Sequence, residues 1–301
     1  MRRFWKYFFG PACLIFLTAS VFPAEAAGTR VFVSIEPQKY FVQKIGGHGV
    51  TVSVLVPAGS NPHTYEPKPK QMVELSKTAV YFSIGIDFEK AWLNKIVATN
   101  PNLRIVRTDD GIVKIDMADH RHHLKSHKGL PRKESLHHAR MPDPHVWLSP
   151  PLVKIQAHHI LNALTAVDPK NTQQYEDGYT AFLREIDALD AELKNLFSGH
   201  GGKQFMVLHP SWGYFAEAYG LTQVPIEIEG KDPKPAQLQK IIRHAREYGI
   251  KIVFVQPQFS SESARMLSRE IGGQVVYVDP LAENWAENLR GVARKLVNAV
   301  R

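Results

Sequence analysis

The chain has 301 residues, 44% of them apolar and 22% charged, with a formal net charge of +8. This is the balance of a folded globular protein of one large or two ordinary domains, and it excludes a disordered or fibrous chain. The basic residues are scattered over the whole length, which argues against a dedicated nucleic-acid site.

The N-terminus carries Arg2, Arg3 and Lys6, an apolar run from Phe8 to Phe22 broken by Pro11, and then Ala24-Glu25-Ala26-Ala27. This reads as a cleavable signal peptide over residues 1–27, cut after Ala26 or Ala27. Three of the 37 basic residues and one of the 29 acidic ones lie in it, so the remainder carries about +6. The single cysteine, Cys13, also lies there, in Gly10-Pro11-Ala12-Cys13, a poor lipid-attachment box. The mature chain would have no disulfide, thiolate ligand or cysteine nucleophile, and any metal chemistry falls to His, Asp and Glu.

From residue 29 the chain alternates short β-branched runs with helical patterns, the signature of βαβ units and parallel sheets. Strands are predicted at Arg30 to Ile35, Val50 to Val56, Ala79 to Ile84 and Leu103 to Arg107. The helical patterns among them are Pro37 to Ile45, Pro69 to Lys77 and Phe88 to Thr99. Residues 28–150 thus form an N-terminal α/β lobe. Within it the segment 119–140 holds His120, His122, His123, His127, His137 and His138 among basic residues and glycine, lacks periodicity and reads as a mobile His-rich loop.

Residues 151–200 form a helical segment. A continuous pattern starts at Asp168-Pro169 and ends near Ser198-Gly199, with Tyr175, Tyr179, Phe182, Ile186, Leu189, Leu193 and Leu196 on one stripe. Such a helix is about 43 Å long and is expected to join two lobes. The C-terminal lobe, 201–301, repeats the first series. Its strands are predicted at Gln204 to Leu208, Val224 to Ile228, Ile250 to Val255 and Gln274 to Val278, and its helices at Trp212 to Tyr219, Pro235 to Tyr248, Ser261 to Ile271 and Asn284 to Val300.

Three histidines stand beside prolines, in Asn61-Pro62-His63, Asp143-Pro144-His145 and His209-Pro210. His63 and His209 follow predicted strands, as does Asp279 before Pro280. Ligands collect outside the carboxyl ends of strands in open α/β sheets, and prolines that lock φ would hold these side chains in a largely pre-formed arrangement. Three neutral imidazoles and one carboxylate make a tetrahedral set suited to Zn2+.

The segments that carry these residues resemble the metal-binding receptors of bacterial ABC importers, in particular the zinc-specific branch. They are Val56-Pro57-Ala58-Gly59, Asn61 through Pro67, Asp143 through Pro150, His209 through Phe215, and Val278-Asp279-Pro280-Leu281. The resemblance spans nearly the whole mature chain. It implies two α/β lobes joined by a long backbone helix, with metal in the cleft held by His63, His145 and His209 and the fourth position filled by Asp279, Glu66 or water. Histidine rather than glutamate at 209 favours zinc over manganese. Two features depart from the family: Gln256 stands where relatives often carry glutamate, and the His-rich loop is basic rather than acidic.

The resemblance implies a monomeric periplasmic zinc receptor that hands its ion to an ABC transporter permease in the inner membrane, without catalytic activity. A secreted zinc hydrolase, a metal-dependent adhesin and a manganese receptor are the competing readings. The hydrolase lacks support in the form of His-Glu-x-x-His or any glutamate sharing a helix with a ligand.

Overall fold

A computed structural model of the protein describes residues 28–117, 142–228 and 230–300; the expected signal peptide and His-rich loop lie outside them. The first half runs β1 (Thr29–Val33), α1 (Glu36–Gly46), β2 (Val50–Val54), α2 (Pro69–Leu75), β3 (Val80–Ser83), α3 (Asp87–Thr99) and β4 (Arg104–Arg107). Helices α4 (Pro150–Val167) and α5 (Thr172–Leu196) follow. The second half runs β5 (Gln204–Val207), α6 (Gly213–Ala218), β6 (Thr222–Pro225), α7 (Pro235–Glu247), β7 (Ile252–Val255), α8 (Glu262–Glu270), β8 (Gln274–Tyr277) and α9 (Trp285–Val300).

The strands form two parallel four-stranded sheets, ordered β2-β1-β3-β4 and β6-β5-β7-β8. Val31 is registered with Val52 on one side and Val80 on the other, and Met206 likewise with Val224 and Val253. In each half the chain first steps to one side of the founding strand and then to the other. The carboxyl ends of β1 and β3, and of β5 and β7, are therefore switch points where loops part and leave a crevice.

The two halves also share a local device. Lys68-Pro69-Lys70-Gln71 opens α2 and Lys234-Pro235-Ala236-Gln237 opens α7. In each, the glutamine side chain accepts the lysine backbone N–H at 2.8 Å, while proline supplies the fixed φ of a first helical turn.

The long helix departs from its expected start. Asp168 does not cap it; its carboxylate accepts from Thr29, Asn171 and Tyr175 instead, and a 3-10 turn over Pro169–Asn171 intervenes before α5 begins at Thr172. At 25 residues α5 is about 37 Å long rather than about 43 Å. It still touches both halves. Gln174 near its start donates to the carbonyl of Gly46, while Asp190 and Glu192 near its end meet Tyr219 and Arg290.

One continuous apolar core runs from β1 and β3 through α4 and α5 to α9, and a smaller one lies between β5–β7 and helices α7 and α8. Trp285 of α9 packs on Phe41, Phe182 and Tyr40, so the last helix completes the first half's core. None of the described helices is long and apolar enough to cross a membrane.

Candidate metal centre

His63 lies in the loop after β2, His209 directly after β5, and His145 at the entrance to α4. Two of them are set by the same local turn. In Asn61-Pro62-His63 and Asp143-Pro144-His145 the first side chain accepts the histidine backbone N–H, at 2.9 Å in both, as Asx residues do for the amide two positions on. His209 is set differently. Buried Gln256 accepts its N–H at 3.2 Å and donates to its carbonyl at 2.6 Å, and Phe259 stacks on its ring at 4.4 Å.

The three rings converge. Their centroids stand 5.0, 5.4 and 5.9 Å apart, and one nitrogen from each lies within 4.8 Å of the others. The Nε2 atoms of His63 and His209 are 3.2 Å apart. A tetrahedral ion with Zn–N bonds of about 2.0–2.1 Å sets neighbouring nitrogens roughly 3.3 Å apart, close to this spacing.

Each ring turns its Nδ1 to a carboxylate: Asp87 for His63 at 3.0 Å, Asp143 for His145 at 2.6 Å and Glu227 for His209 at 2.8 Å. A carboxylate partner keeps the proton on Nδ1 and leaves the Nε2 lone pair free to bind metal. Lone pairs aimed at one another at 3.2 Å repel unless a cation lies between them. Burial, and next the neighbouring imidazoles His145 and His63, push His209 well below the usual histidine range, so it is held neutral. Burial likewise raises the Glu227 carboxyl to about 7.

Asn61, Thr64, Met117 and Phe259 close a cavity of about 250 Å³ around His63 and His209. That is below the roughly 300–1,000 Å³ of organic-ligand pockets and fits a partly hydrated ion.

The structure thus brings together His63, His145 and His209 but leaves Asp279 outside the group. The Asp279 carboxylate accepts from Gln258 at 2.6 Å and from the Leu281 backbone N–H at 2.9 Å, which fixes the turn after β8. Glu66 is exposed and also outside the group.

Sequence reasoning passed over Asp87, Glu227 and the clamp made by Gln256. A signal was present for Asp87, which falls past the end of β3, where the strand-end rule that picked out His63 and His209 applies equally to carboxylates; Glu227 sits inside the predicted strand Val224 to Ile228, and only the earlier end of β6 at Pro225 puts it past a strand.

A family model described as the periplasmic component A of the zinc-uptake complex, ZnuA, matches residues 31–299. The chain belongs to this family. The crystal structure of a ZnuA superposes with a TM-score of 0.82 at 42% identity, covering 91% of this chain and all of that one. A zinc-bound ZnuA deletion mutant gives 0.80 at the same identity, covering 91% of this chain and 98% of that one. The high-affinity zinc uptake system protein ZnuA of Bacillus subtilis is 26% identical over 86% of this chain and 81% of its own length. The zinc-binding protein AdcA of Streptococcus pyogenes is 25% identical over 84% of this chain. The chain spans about half the length of that streptococcal relative.

Proposed function

We propose that this member of the zinc-uptake family is an exported receptor that captures Zn2+ in the periplasm and delivers it, as a monomer, to an ABC transporter permease in the inner membrane. The observation that carries the reading is the convergence of three imidazoles whose Nδ1 atoms all face carboxylates, a neutral all-nitrogen donor set that suits zinc better than manganese. Zn2+ is the cargo. His63, His145 and His209 hold it, and water fills the fourth position, since Asp279 lies outside the converging group and its carboxylate is fastened by one oxygen to Gln258 and the Leu281 amide.

A receptor fits this site better than a hydrolase does. A zinc hydrolase needs a free general base beside the metal-bound water, whereas Asp87, Asp143 and Glu227, the carboxylates touching the three rings, are each engaged by a ring nitrogen.

The test is metal analysis of protein purified without chelator, followed by competition titration. One zinc per chain, displaced by neither manganese nor magnesium, supports the reading. Preference for manganese, or zinc-dependent ester or peptide hydrolysis, overturns it.

A further inference from the structure

The three histidines are not held alike. The segment around His145 is fastened to the second half of the molecule: the Tyr214 hydroxyl, on α6 just beyond His209, donates to the Asp143 carbonyl at 2.8 Å. The Trp147 indole donates to the Pro280 carbonyl at 2.8 Å, and the Trp285 indole donates back to the Trp147 carbonyl at 2.7 Å. His145 and His209 therefore share one frame, although one follows the first sheet and the other belongs to the second. Asp143 is fully buried, and the Glu227 side chain is 11% exposed.

His63 stands apart from that frame. The backbone bonds in its loop are local, from Ser60 to Pro57 and from Thr64 to Asn61. Outside the imidazole trio its ring bonds to Asp87, whose side chain is 54% exposed and whose other oxygen accepts from Lys90 at 2.9 Å, and Phe259 lies tilted beside it at 6.4 Å, looser than the 4.4 Å of its stack on His209. A brace that is open to water and shared with a lysine ammonium holds its histidine less firmly than a buried one.

On the zinc reading above, we infer that His63 is the detachable ligand of a two-plus-one site, and that Asp87 is the positioning residue that sets how long it stays bound. Zinc then leaves by loss of His63 while His145 and His209 keep their geometry, so the two halves need not separate. Removing a carboxylate partner of a metal-bound histidine typically weakens binding 10- to 100-fold. For a ligand that departs first, the loss falls on the dissociation rate.

The experiment is stopped-flow zinc release into excess chelator from the full mature chain, with the association rate measured separately. Asp87→Ala is expected to speed release about 10- to 100-fold with the association rate unchanged, and Asp87→Asn, which keeps an acceptor oxygen, to recover part of the loss. In the zinc-free protein the ring 15N shifts of His63 should report a fixed Nδ1–H in the wild type and an averaged tautomer in Asp87→Ala. Stoichiometric zinc with an unchanged release rate in Asp87→Ala overturns this inference alone. Undiminished zinc binding by His145→Ala would instead remove the zinc reading on which it rests.

Discussion

Gly178 and Ile45 bring α5 and α1 into backbone contact: a Cβ at Gly178 would stand 2.3 Å from the Ile45 carbonyl oxygen and 2.9 Å from that of Lys44. Helix propensity alone would favour alanine at this position by about 1 kcal/mol. Contact with two rigid carbonyls outweighs that gain, because overpacking typically costs about 1–3 kcal/mol and α1 can relieve it only by shifting off β1 and β2. Gly178→Ala is expected to lower stability by about 1–2 kcal/mol in urea unfolding. A stabilised variant would show that the helices are not in contact there.

His145→Ala removes a buried imidazole from the converging trio, whereas His158, exposed, and His159, half-buried, lie on α4, bonded to Asn162 and to the Asp110 carbonyl. Zinc affinity should fall by more than about 100-fold in the first variant and stay unchanged in His158→Ala and His159→Ala. Added zinc should raise the melting temperature of the wild type, and chelator should remove that rise. His145→Ala should need about 100-fold more zinc for the same rise.

Glu89 gives a pH dependence to stability. Its carboxylate is buried at the end of β3, accepting from the Ile84 and Gly85 backbone N–H groups and from the Ser34 hydroxyl, with Asp109 and Tyr81 nearby. Burial, reinforced by the Asp109 charge, raises it from 4.5 to about 7. The folded state therefore binds a proton that the unfolded chain has already lost between those values. This group's contribution to stability is present below pH 4.5 and declines as pH rises to 7, by about 3 kcal/mol at most. Glu89→Gln should lose absolute stability, since its NH2 faces a backbone donor, and should flatten the slope of stability over this window. An unaltered slope would refute the assignment.

Trp285→Phe keeps an aromatic ring against Phe41 but leaves the buried Trp147 carbonyl without its indole donor. The expected cost is about 1–3 kcal/mol in equilibrium unfolding. A neutral result would mean that another donor takes up the carbonyl.

The strand pattern was legible because buried parallel strands are short β-branched runs, and the structure places a strand at each of the eight predicted runs, the worst match being β6, which starts two and ends three residues ahead of its run. The apolar stripe of α5 was also readable, with Tyr175, Phe182, Ile186, Leu189 and Leu193 buried. What misled was Asp168-Pro169, a sound start signal whose carboxylate was drawn off by Thr29, 139 residues away in the chain. The three histidines were marked by their prolines and by Asn61 and Asp143 two residues earlier. Asp87 and Glu227 carry no such neighbour; each meets its histidine only through folding, across 24 and 18 residues.

The position of Trp285 also governs the order in which the chain can fold. Tyr40, Phe41 and Phe182 close around an indole that lies beyond the whole second sheet in the chain. The first half's core is therefore sealed by contacts between the two ends of the described chain, and so wide a sequence separation makes for slow folding. A chain stopped short of its last helix leaves those three rings without the indole they pack on.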